Sequence, residues 1–94
     1  VKNYYWDIFF SSCRGLTRFG SCEASQDEAQ IKKMLSDRAA RTILLVDDSK
    51  FNQTYSHISL TFDMIDIIIT NKPLPNDLAS DMKSVNPKII ILHP

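Results

Sequence analysis

The sequence predicts an α/β fold with a mostly parallel sheet flanked by helices, and three observations carry that prediction. Four short apolar runs, Ile8–Phe10, Ile43–Val46, Ile65–Ile69 and Ile89–Leu92, are rich in β-branched or aromatic residues and do not alternate strictly with polar ones. Runs of that kind suit strands covered on both faces, as in a parallel sheet. Helical signals lie between the first and second runs and again between the third and fourth. Three runs pass directly into polar residues, at Ser11-Ser12, Asp47-Asp48-Ser49 and Thr70-Asn71. Ligands of open α/β sheets bind outside the carboxyl ends of strands, so these tips are where a site is expected.

The elements follow in order. After the strand at Ile8–Phe10, Ser25 and Glu28 stand in capping-box spacing, a serine N-cap with a glutamate three residues on. Asp27 and Glu28 complement the positive start of a helix, and Arg38 and Arg41 suit its end. Ile31, Met34, Leu35 and Ala39 supply an apolar stripe, which predicts a helix from Gln26 to about Ala39. The Ile43–Val46 strand comes next. Residues 51–62 support two readings, a short helix through Phe51, Tyr55, Ile58 and Phe62, or an extended edge piece around Tyr55, His57 and Ser59. The Ile65–Ile69 strand is followed by Pro73-Leu74-Pro75, which suits a helix start. Leu78, Met82 and Val85 then share one helical face, and Asn86-Pro87 stops the helix before the last strand.

Composition narrows the functional classes. A chain of 94 residues makes one small domain or part of one, here 1–94. The net charge is zero, whereas a nucleic-acid surface needs excess Lys and Arg, so phosphate-backbone binding is not this chain's main business. The two glycines, Gly15 and Gly20, cannot build a glycine-rich phosphate loop. Cys13 and Cys22 would close only a short loop, which is no disulfide scaffold. His57 and His93 lack metal-ligand spacing, so no metal or cofactor is expected. Tyr4-Tyr5-Trp6 fits core or interface better than a base-stacking platform. Val1-Lys2-Asn3 does not begin a secretory signal, and no apolar stretch approaches the roughly 20 residues a bilayer requires. The expectation is a cytoplasmic chain with no membrane contact.

The densest motif is Thr42–Phe51, and it invites two family comparisons. Ile43–Asp48 resembles the first strand and acidic pair of a response-regulator receiver, whose carboxylates hold a hard cation. The rest departs from that family. A phosphorylatable aspartate is due on a later strand, and the nearest candidate is Asn71, an amide that comes too soon. The second comparison covers nearly the whole chain. Asp7–Phe10 with Ser12–Leu16, Glu28–Met34, Ala40–Phe51 with its Asp-x-Ser-Lys-Phe end, and Ile65–Asn71 occur in the order of the corresponding segments of the C-terminal sensor domain of DeoR-type repressors. The sequence resembles that family.

The resemblance implies a fold shared with ribose-phosphate isomerases and glucosamine-phosphate deaminases. It implies a sensor that binds a phosphorylated sugar or related small molecule and relays it to an N-terminal winged helix-turn-helix. The residues before Asp7 cannot hold that element, so DNA contact is expected only through a domain outside this chain, which then corresponds to the C-terminal part of a sensor. Cys13, Arg14, Gly15, Lys32, Asp47 and Lys50 are the expected effector-binding residues. A lysine just past a strand end can meet a phosphate as a point charge. Asp47 can accept from sugar hydroxyls or orient that lysine. The Cys13-Arg14-Gly15 turn offers a guanidinium and backbone N–H groups to an anion.

Two departures matter. Relatives often carry an aspartate where Arg14 stands, which suggests a more anionic ligand. Ungapped alignment of the Asp-x-Ser-Lys stretches puts Lys32 where the isomerases have their glutamate base, and a protonated lysine cannot abstract a proton. Binding without catalysis is therefore expected, with an isomerase or deaminase, or an oligomerisation module with a vestigial pocket, as alternatives. Half a domain should expose an apolar sheet edge and associate, so a homo-oligomer is expected.

Overall fold

The computed structural model describes residues 4–94, so the Val1–Asn3 start lies outside the described residues. The elements are β1 (Trp6–Ser11), β2 (Gly15–Thr17), β3 (Gly20–Glu23), α1 (Gln26–Asp37), β4 (Ala39–Val46), β5 (His57–Leu60), β6 (Ile67–Thr70), α2 (Asn76–Val85) and β7 (Ile90–Leu92). Single 3-10 turns at Asp48–Lys50 and Phe62–Met64 follow β4 and β5. The four apolar runs form one four-stranded sheet in the order β1-β4-β6-β7, parallel throughout. A smaller antiparallel sheet, β2-β3-β5, stands beside it.

The first helix begins as its capping residues dictate. The Ser25 hydroxyl accepts the Glu28 N–H at 3.1 Å. It ends two residues early, at Asp37, because Ala39 already pairs with Trp6 at the start of β4. Arg38 is therefore the C-cap and Arg41 a strand residue, and neither lies in the last helical turn. The expected apolar stripe is also corrected. Ile31 and Met34 are exposed, and the helix buries Ala29 and Ser36 instead. The contact is made by small residues, with the Ser36 and Thr42 hydroxyls 2.8 Å apart. The second helix follows expectation at Leu78 and Met82, which are fully buried, while Val85 faces solvent. The Asn86 amide that stops it donates to the Phe62 and Ile65 carbonyls at 3.1 and 2.9 Å.

Two strands escaped prediction. Gly15–Thr17 and Gly20–Glu23 form a hairpin with Arg18-Phe19 at its tip. Gly20 adopts φ +129°, and a Cβ there would come within 2.1 Å of the Leu60 carbonyl oxygen. The open segment 51–62 resolves as the extended reading, since β5 pairs with β3. The strand expected from Ile65 begins at Ile67, after a turn that buries Phe62 and Ile65.

The main sheet has one covered face and one largely bare face, on which Ile43 is still buried. Leu44 and Ile68 point into the core with Leu16, Leu60, Phe62, Ile65, Leu78, Met82 and Ile89. Burial of each such side chain contributes about 1.5–3 kcal/mol. On the other face, Ile8, Phe10, Leu45, Ile69, Ile90 and Leu92 are exposed, with Leu45 opposite Ile69 and Ile69 opposite Leu92. The sequence runs had suggested cover on both faces. The strand order explains the difference. It advances steadily in one direction, and right-handed crossovers in one direction all fall on one side of a sheet.

Candidate anion-binding site

The carboxyl end of β1 opens into a cavity of about 400 Å³ lined by Ser12, Cys13, Arg14, Glu23, Glu28, Lys32 and Lys50. Four parts of the chain converge there, one of them the end of β3, which brings Glu23. The segment after β1 brings Ser12 to Arg14, the 3-10 turn after β4 brings Lys50, and α1 brings Glu28 and Lys32. Four of the six residues expected from the sequence thus meet at one place, although Cys13 and Lys50 are far apart in the chain.

Lys32 is anchored. Its ammonium donates to the Ser12 carbonyl at 2.8 Å and to Glu23 Oε1 at 3.0 Å. Glu23 is fully buried, and its Oε2 accepts the Ser59 hydroxyl at 2.7 Å. An ammonium has three N–H donors, so one remains for a ligand. Among the described residues, neither the Arg14 guanidinium nor the Lys50 ammonium has a hydrogen-bond or ion-pair partner. The cavity therefore holds two uncommitted cations and one partly committed one, beside the exposed Glu28.

Gly15 and Asp47 lie outside the lining. Gly15 begins β2, where a Cβ would stand 2.0 Å from the Gln53 carbonyl oxygen. Its role is to let two backbones approach. The backbone donors expected from this turn are partly spent, because the Arg14 N–H goes to the Cys22 carbonyl at 3.1 Å. Asp47 accepts the Ser49 N–H at 2.9 Å and the Ser49 hydroxyl. Those two bonds hold its carboxyl below the usual carboxylate range. Asp47 thus caps the 3-10 turn that presents Lys50. Burial, with the nearby Glu23 charge adding to it, pushes the Cys13 thiol up to about 12. Burial likewise raises Cys22. Both stay neutral thiols near pH 7 and pack as small apolar groups.

Glu23 and Glu28 as cavity residues escaped the sequence reading. Glu28 was legible only as a capping residue, and Glu23 carries no local signal because its hairpin was not foreseen. Asn71 also gains a role. Its Oδ1 accepts the Asp48 N–H at 2.8 Å, and its Nδ2 donates to Asp48 Oδ1 at 2.7 Å. This pair ties the tips of β4 and β6 together. A carboxylate at 71 would have no proton to donate to Asp48. Among the described residues no group of three His, Cys, Asp or Glu side chains has metal-binding geometry, and no helix is long and apolar enough to cross a membrane.

Comparison with known proteins agrees with the fold. A family model described as the DeoR C terminal sensor domain matches residues 1–72. The chain is 26% identical over 93 residues to the "Putative aga operon transcriptional repressor" of Escherichia coli O157:H7, covering 98% of this chain and 35% of that protein. It is 38% identical over 55 residues to the "L-fucose operon activator" of Escherichia coli (strain K12), covering 57% of this chain and 23% of the relative. It is 31% identical over 70 residues to the "Uncharacterized HTH-type transcriptional regulator YulB" of Bacillus subtilis (strain 168), covering 72% of this chain and 27% of the relative. The chain thus spans about a third or less of the length of these relatives. With a family model matched over residues 1–72 and a parallel α/β sheet to go with it, the chain belongs to the DeoR C-terminal sensor domain family.

Proposed function

We propose that this chain is the effector-binding part of a DeoR-family transcriptional regulator and that the cavity at the end of β1 takes a phosphorylated sugar or a related metabolite. The observation that supports this best is the cation set around one cavity. Arg14 and Lys50 are uncommitted, and Lys32 retains a free donor. An arginine fork and two ammonium groups suit a phosphoryl group. The name of one relative, an L-fucose operon activator, points toward control of a sugar operon. In this reading the effector binds one state of a longer polypeptide better than another. It thereby shifts the affinity of a helix-turn-helix domain for DNA.

Binding without turnover fits the site. Glu23 is held in an ion pair and a hydrogen bond rather than left free to take a proton, and Lys32 is engaged as a donor. The cytoplasm is the location that accompanies this role. Association into a homo-oligomer accompanies it too, supported by the bare apolar face.

Lys50→Ala tests the reading by calorimetry against a panel of sugar phosphates. Among the described residues the Lys50 ammonium has no hydrogen-bond or ion-pair partner, so the variant should stay folded and lose about tenfold or more in affinity, as expected for one charged hydrogen bond. Unchanged affinity would remove Lys50 from the site. Turnover of ribose or glucosamine phosphates would replace sensing with catalysis.

A further inference from the structure

Glu23 is a fully buried cavity residue whose charge the binding reading leaves unexplained. A carboxylate removed from water is costly unless it is paired. Glu23 meets that demand through Lys32 at 3.0 Å and Ser59 at 2.7 Å. The pairing has a consequence for the cavity. Lys32 contributes a hydrogen-bond donor but almost no net charge, because Glu23 cancels it. The positive charge left facing a ligand comes from Arg14 and Lys50 alone, and Glu28 opposes it. A single phosphoryl group carries about −1.5 to −2 charges at neutral pH, which two cations match. A second phosphoryl group would find no further uncompensated cation and would meet the Glu28 carboxylate.

We propose that Glu23 is a specificity-determining residue that restricts the cavity to ligands carrying one phosphoryl group. It does so by neutralising Lys32 while holding it in place. The inference rests on the phosphoryl-binding reading above and deepens it.

The test compares inorganic phosphate with pyrophosphate, by calorimetry at constant ionic strength, on the intact chain and on Glu23→Gln. Glutamine keeps the size, can accept from Lys32 and can donate to the Ser59 hydroxyl instead of accepting from it, but it frees the Lys32 charge. One added charge at a separation of about 6 Å favours each extra ligand charge by about threefold in water-like surroundings, and by more in a cavity. The affinity ratio of pyrophosphate to phosphate should therefore rise about threefold or more in Glu23→Gln. An unchanged ratio, with phosphate binding intact, overturns the inference and leaves the binding reading standing. Failure of both anions to bind either protein overturns the binding reading and the inference with it. Ser59→Ala is the control for packing. It removes the bond to Oε2 without altering charge and should leave the ratio unchanged, and a rise equal to that of Glu23→Gln would sink the charge argument. Where Glu23→Gln does not fold, Glu23→Gln combined with Lys32→Met removes both charges. That double variant should keep the original ratio, and a marked fall would show that Lys32 counts as a full cation after all.

Discussion

Lys32→Met probes the ion pair beneath the cavity, and its cost can be worked from the structure. Methionine keeps most of the apolar stem but loses the ammonium that lies 3.0 Å from Glu23 Oε1 and 2.8 Å from the Ser12 carbonyl. Ser12 is exposed, so water can replace that donor. Glu23 has no exposure, so its Oε1 loses its charge partner and keeps only the Ser59 bond on Oε2. Removing one member of a buried pair costs about 3–5 kcal/mol. Lys32 is 18% exposed, and water entering from that side places the cost near the lower end, at about 3 kcal/mol. That is a large share of the stability of a small domain. Urea unfolding of both proteins at neutral pH measures this. The difference between them should be near 3 kcal/mol, to within about 1 kcal/mol. A difference below about 1 kcal/mol, the range of an exposed ion pair, would refute the assignment of Lys32 as the counter-ion of Glu23.

Three further outcomes are expected. Gly15→Ala places a methyl group 2.0 Å from the Gln53 carbonyl oxygen, a backbone atom that cannot swing aside, and should destabilise by about 3 kcal/mol in urea unfolding. The Cys13 thiol is raised to about 12 from an unfolded value near 9, so the unfolded chain loses its proton first. Stability should be intact below pH 9 and fall by up to about 1.4 kcal/mol per pH unit above it, and Cys13→Ala should flatten that slope. Self-association of the chain, followed by sedimentation, should weaken when Phe10 and Leu45 on the bare face are changed to lysine, with folding retained because both are exposed. A wild-type chain that sediments as a monomer at all concentrations would contradict the role given to that face.

The legibility of this chain divides along physical lines. Strand runs such as Ile43–Val46 and helix signals such as Ser25 with Glu28 were readable because they are local. A continuous β-branched run and a cap both act within a few residues. The hairpin from Gly15 to Glu23 was not readable in this way. Its strands are short, Arg18-Phe19 lacks the usual turn residues, and what holds it is Gly20 lying against Leu60 and Glu23 pairing with His57. The α1 stripe misled for a similar reason. Ile31 and Met34 have the right spacing, but the neighbouring hydroxyl of Thr42 selected Ser36 as the inward side.

By itself the sequence determined the chain order of the four main-sheet strands and the two helices, the parallel class of the main sheet, the family, and four of the cavity residues. Cys13, Arg14, Lys32 and Lys50 could be nominated because strand ends and family motifs mark them in the chain. The tertiary structure alone decided where each stands and what it touches. It made Asp47 a cap and Gly15 a point of close backbone approach. It placed Glu23 under Lys32 and left one face of the sheet bare. Propensity and capping depend on neighbours in sequence. Charge pairing, burial and the side on which a crossover lands depend on neighbours in space.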